Sequence, residues 1–141
     1  MKILIPVDGS DNSSRAVEHA VKLASALREE SQLLLLNVQW NIAAGNVKLF
    51  INQETINDHH RTQGMAALVK ARALLDEAKL PYQYHISVGR PAEAIVQYAN
   101  EQAVDQIVMG AQGQDTLANL LLGSIAGKVI QLAKIPVTIT K

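Results

Sequence analysis

Short apolar runs alternate with amphipathic stretches along this chain. Lys2 to Val7 (KILIPV) is nearly continuous apolar sequence and predicts a first strand. From Ser13 to Arg28 the apolar residues Ala16, Val17, Ala20, Leu23, Ala24 and Leu27 recur at helical spacing and share one face. Ser31 to Val38 predicts a second strand, and the segment from Gln39 to about Asn57 is polar and irregular. A long helix is expected from about Ile56 to Lys79, with Met65, Leu68, Val69, Ala71, Leu75 and Ala78 facing inward and Pro81 marking its end. Tyr82 to Val88 predicts a third strand. Pro91 opens a third helix that runs to about Gln102, since proline is tolerated in the first helical turn. Val104 to Gly110 predicts a fourth strand, Ser124 to Ala133 a last helix, and Pro136 to Thr140 a fifth strand.

Strand–helix alternation implies βαβ units and a parallel sheet. Central parallel strands are covered on both faces and read as continuous apolar sequence. Strands one, two and four do so. Strand three alternates, with Tyr82, Tyr84, Ile86 and Val88 against Gln83, His85 and Ser87. Strand five alternates Val137 and Ile139 with Thr138 and Thr140. Placing both alternating strands at the edges gives the order 3-2-1-4-5, whereas the order 2-1-3-4-5 buries strand three and exposes strand two. The expectation is an α/β fold over residues 1–141 as one domain: an open five-stranded parallel sheet, Rossmann-like, with helices on both faces.

In such a sheet a ligand sits beyond the carboxyl ends of the strands where the order reverses, between strands one and four. Asp8-Gly9-Ser10 leaves strand one and Gly110-Ala111-Gln112-Gly113 leaves strand four. Glycine can simply end a strand. The wider spacing Gly110-x2-Gly113-x9-Gly123-Ser124 points further. Ser124 is expected to cap the last helix, whose N-terminal amides attract an anion, and the glycines let loop amides face the same group. Together they predict a phosphate cradle. The stretch Gly123 to Val129 is one residue short of a P-loop, carries Val129 where the magnesium-binding hydroxyl belongs, and follows a loop instead of a strand.

Composition narrows the ligand classes. Thirteen Lys and Arg balance thirteen Asp and Glu, which excludes a nucleic-acid binder acting through a basic surface. Aromatic residues make up 4 %, too few for a single-strand stacking platform, and the absence of cysteine excludes disulfides and thiolate metal sites. The apolar run Ile3 to Val7 is too short for a signal peptide and no run reaches the ~20 residues a membrane span needs, so neither is expected and the expected setting is cytoplasmic. His59 and His60 are read as solvent-facing, Trp40 as packing or as a wall of a base pocket, and Ser10, Ser13 and Ser14 as turn and cap residues. No nucleophile elbow or Ser/His/Asp grouping appears, so catalysis is expected to be absent or limited to slow ATP hydrolysis.

Five pieces in order carry a family resemblance: ILIPVDGSDNS at the start, Val88 to Ile95 (VGRPAEAI), Val104 to Gly110 (VDQIVMG), the G-x2-G-x9-G-S motif, and Ile135 to Ile139 (IPVTI). The chain resembles a universal stress protein of the single-domain, nucleotide-binding type, of adenine nucleotide alpha-hydrolase-like fold. The resemblance covers the whole chain and implies a 3-2-1-4-5 sheet and a bound adenine nucleotide. It implies that Pro6 and Val7 line the base pocket, that Asp8 bonds the ribose or adenine edge, and that the backbone of Val38 meets the adenine. Met109 and Gly110 would lie under the sugar and phosphates, with Gly113, Gly123 and Ser124 at the phosphate oxygens and Ile125 beside them. It also implies a homodimer through the last strand, Pro136 to Thr140, and a protein partner that reads nucleotide occupancy.

One departure matters. Between Gly110 and Gly123 there is no Lys or Arg, and one anion, Asp115, a candidate neighbour of bound Mg. Losing a charge-assisted contact costs ~1.5–3 kcal/mol. Triphosphate binding is therefore expected to be weakened or Mg-dependent, and AMP or ADP to bind relatively well. Lys128 and Arg90 are the candidate compensating cations, each otherwise a solvated surface charge. The alternatives are a nucleotide-free stress protein acting through dimerisation and protein contacts, and a slow ATPase.

Overall fold

The structure, a computed structural model, describes residues 1–40, 52–113 and 122–141. The elements run β1 (Lys2–Pro6), α1 (Asp11–Ala26), β2 (Gln32–Gln39), α2 (Gln53–Glu77), β3 (Tyr82–Val88), α3 (Pro91–Glu101), β4 (Gln106–Gly110), α4 (Ser124–Leu132) and β5 (Val137–Thr140). All described pairings are parallel and the order is β3-β2-β1-β4-β5. The continuous apolar strands are central and the alternating ones lie at the edges, as the burial argument predicts.

Two apolar layers clamp the sheet. On one face Ile3, Ile5, Leu33 and Leu35 pack with the inward stripes of α1 and α2. On the other Leu4, Leu34, Leu36, Ile107 and Met109 pack with Ala92, Ile95 and Ala99 of α3 and Ala126 and Val129 of α4. The strand period of two sends successive side chains to opposite layers, which is why every residue from Ile3 to Ile5 and from Leu33 to Leu36 is buried.

The second helix departs from expectation. It starts at Gln53, capped by the Asn52 side chain, which accepts from the Thr55 amide at 2.8 Å. Its buried stripe is Ile56, His60, Gly64, Leu68, Ala71 and Leu75. Val69 is exposed and Met65 only half-buried. His60, read as solvent-facing, is buried and its Nε2 has no hydrogen-bond partner among the described residues. The spacing 56-60-64-68 carries this placement. Gly64 lets the helix cross β3 closely, since a Cβ there would meet Ile86 at 2.7 Å.

Helices α2 and α3 both end in a left-handed residue that is not glycine, Lys79 (φ 56°) and Ala103 (φ 50°). The paired reverse bonds Leu80 to Leu75 and Lys79 to Asp76, and Val104 to Ala99 and Ala103 to Asn100, satisfy the terminal carbonyls. At the β3 edge, Arg72 lies 4.6 Å from the Tyr84 ring centroid, and His85 stacks on Tyr98 at 5.1 Å.

Candidate functional site

The crevice at the switch point is a cavity of about 350 Å³, within the ~300–1,000 Å³ usual for small-molecule sites. Pro6, Val7, Asp8, Val38, Met109, Gly110, Gly113, Gly123, Ser124 and Ile125 all line it. Sequence reasoning missed Leu36, Ser13, Ala111, Gln112 and Ala126 and, from α3, Pro91 and Ile95, which also line it. The α3 pair was legible only as helix start and helix core. Its part in the wall follows from how α3 packs over the sheet.

Asp8 leaves β1 on a chain turned by Gly9, whose φ of 84° suits glycine. Its Oδ1 accepts from the Ser10 amide at 2.9 Å. Ser10 then caps α1, accepting from the Ser13 amide at 3.2 Å, while the Ser13 hydroxyl donates to the Ser10 carbonyl at 2.9 Å. Behind this turn, buried Asn37 donates to the Val7 carbonyl at 2.8 Å and accepts from Gln39 at 2.6 Å. That carbonyl lies past the end of β1, and Asn37 satisfies it where the ladder stops. The base of Asp8 is thereby fixed.

On the β4 side the loop is drawn together at its ends. The Gly123 amide donates to the Ala111 carbonyl at 2.6 Å, and the Ala111 amide donates to Thr140 at 2.8 Å. The N-cap of α4 is Gly123 and not Ser124, which occupies the first helical position. The expected serine cap fails because this clasp holds Gly123 in the extended cap conformation and brings Ser124 into the helix. The first intrahelical bond runs from Gly127 to Gly123 at 3.0 Å, so the amides of Ser124, Ile125 and Ala126 precede the ladder. They form the polar, anion-attracting end of the cavity.

Gly110 is closely approached by backbone and Gly113 by a side-chain tip. A Cβ on Gly110 would stand 2.9 Å from the Asn12 backbone, and one on Gly113 would stand 2.7 Å from Asp8 Oδ2. The Asp8 carboxylate therefore lies directly against the Gly113 backbone and joins the tips of β1 and β4. It is the sole charged side chain among the described lining residues. Lys128 and Arg90 are exposed and do not line the cavity. Asp115 lies outside the described residues. Among those described, no three His, Asp or Glu side chains gather as a metal site, and no helix is long and apolar enough to cross a membrane.

The cavity thus has an apolar wall, a carboxylate in the middle and a helix N-terminus at the far side. Relatives share the fold. A protein of Methanocaldococcus jannaschii, universal stress protein MJ0531, is 33 % identical over 99 % of this chain and 81 % of its own length. The solved structure of MJ0577 from the same organism superposes with a TM-score of 0.84 at 27 % identity, over 99 % of this chain and 94 % of that one. A universal stress protein crystallised in complex with cAMP superposes with a TM-score of 0.70 at 26 % identity, over 100 % of this chain and 96 % of that one. The family model described as the universal stress protein family matches residues 1–141, and the chain belongs to that family.

Proposed function

We propose that this protein binds an adenine nucleotide in the switch-point cavity and uses its occupancy as a regulatory signal in a stress response. The observation that carries the reading is the arrangement of unlike surfaces around one cavity of nucleotide size. Pro6, Val7, Leu36 and Val38 offer an apolar face to a base. Asp8 is an acceptor for ribose hydroxyls. The Ser124–Ala126 amides receive a phosphate. The complex of a related stress protein with cAMP supports the same class of ligand.

Charge then selects within that class. A helix N-terminus stabilises an anion by ~0.3–1 kcal/mol, up to ~2 in partly buried geometry. Each further negative charge within about 6 Å of the Asp8 carboxylate costs on the order of 2–3 kcal/mol at an effective dielectric of about 20. The helix end offsets at most about one such charge, so each added phosphate raises the cost. The favoured ligand is AMP, with ADP and ATP progressively weaker. Isothermal calorimetry is expected to show one-to-one binding of AMP and, without Mg²⁺, at least ~10-fold weaker binding of ATP. Metal-independent ATP affinity equal to or tighter than that of AMP would sink this ordering.

The reading includes a homodimer through β5. That strand forms one sheet edge and is half-exposed along its length, and Ile130 and Leu132 of α4 are exposed. An uncovered edge of this kind favours pairing with a second strand. Sedimentation velocity at micromolar concentration is expected to return a dimer. A wild-type monomer at ~100 μM would remove this part of the proposal.

A further inference from the structure

The cavity has one residue whose placement packing does not explain. Trp40 is 62 % exposed, more than any other large apolar side chain among the described residues, yet it lines the cavity. A tryptophan in a core or at a helix contact is largely covered. Trp40 instead leaves its broad apolar surface in solvent beside the mouth of the site.

Its position is fixed by the strand. Leu36, Val38 and Trp40 are alternate residues, and all three line the cavity, whereas Asn37 and Gln39 do not. Alternation puts the three on one side of β2. The ladder holds to the last strand residue, since the Gly89 amide donates to the Gln39 carbonyl at 2.9 Å. Trp40 therefore projects from an anchored base. Pro91 and Ile95 of α3 line the same cavity. This apolar end follows β2, and the amide cradle follows β4, on the other side of β1.

We infer that Trp40 is the stacking wall of the site and that its indole covers one face of the nucleotide base. The inference deepens the adenine-nucleotide reading and rests on it. An indole face pairs best with a large flat π-system, so Trp40 gives the site its preference for a purine over a bare sugar phosphate. Because the indole is 62 % exposed, stacking removes apolar area from water on both partners.

Trp40 is the sole tryptophan of the chain, so its emission reports this position alone. AMP is titrated into the protein with calorimetry and tryptophan fluorescence recorded in parallel, and ribose 5-phosphate serves as the probe without a base. AMP is expected to quench the emission saturably, with a midpoint equal to the calorimetric Kd, and ribose 5-phosphate to leave it unchanged. Base–aromatic stacking predicts a loss of ~10–100-fold in AMP affinity for Trp40→Ala and retention of most affinity in Trp40→Phe. Calorimetric AMP binding with unchanged emission, or wild-type affinity in Trp40→Ala, overturns the stacking role and leaves the nucleotide reading standing. Absence of calorimetric AMP binding to the folded wild-type protein overturns both.

Discussion

Replacing Gly113 by valine is expected to lower AMP affinity at least ~100-fold while the protein stays folded. The added Cβ falls 2.7 Å from Asp8 Oδ2, so the carboxylate has to leave its place against the loop backbone. The two γ-methyl groups fill space between the tips of β1 and β4. Two interactions are lost together: an acceptor for the ribose and room for the phosphate. Losing a hydrogen bond to a charged group costs ~1.5–3 kcal/mol, and steric exclusion adds to it. The fold is expected to survive because the conflict is with the end of a half-buried side chain and Gly113 does not occupy the left-handed region. Calorimetry with AMP, beside circular dichroism and thermal melting, checks both halves. Wild-type affinity in a folded Gly113→Val protein would show that the phosphate end lies elsewhere.

Gly110→Ala is expected to act on stability as well as on binding. Its Cβ would stand 2.9 Å from the carbonyl carbon and oxygen of Asn12, in the first turn of α1. Backbone yields less readily than a side-chain tip, so β4 and α1 must separate. Overpacking of this kind costs ~1–3 kcal/mol, or about 3–10 °C in Tm for a chain of this size. The shift also moves the turn that carries Asp8 and Ser10, so AMP affinity is expected to fall with stability. Urea unfolding is expected to show a lower midpoint with an unchanged slope. A midpoint within experimental error of wild type would mean that the sheet and α1 do not meet as closely as described. The two glycines are thus separable: Gly113 affects binding with little loss of stability, and Gly110 affects both.

Much of the fold was legible because each strand carries its position in its burial pattern. Ile3 to Ile5 is continuous because both faces of β1 are covered, whereas edge strand β3 is half-buried or exposed along its length, Tyr84 and Val88 included. The order of strands then located the crevice, and with it the side chains from Pro6 to Asp8 and the loop after Gly110. What stayed illegible depends on contacts distant in sequence. His60 reads as polar in its own segment, yet it shares a helix face with Ile56, Gly64 and Leu68, and the packing of that face decides its burial. Ser124 looks like a cap by residue type, but the bond between Gly123 and Ala111 sets where α4 begins. Pro91 and Ile95 carry no sequence mark of the cavity, because α3 reaches it only through packing across β2. Lys79 and Ala103 end their helices without the glycine that usually announces such an end, the reverse bonds holding them in the left-handed region.

The neutral charge balance also takes on a local meaning. The described lining residues contain no cation, and Asp8 is the one charged side chain among them. On the proposed reading, such a site would hold an anion through backbone amides. It would tell a monophosphate from a triphosphate by repulsion and not by a matching set of basic side chains.

The most direct test of the account is a crystal structure of the protein with AMP. The predicted result places the phosphate at the amides of Ser124, Ile125 and Ala126, a ribose hydroxyl on the Asp8 carboxylate, and the base against Val38 and Trp40. A ligand bound with its phosphate toward β2, or bound outside the switch-point crevice, would contradict it.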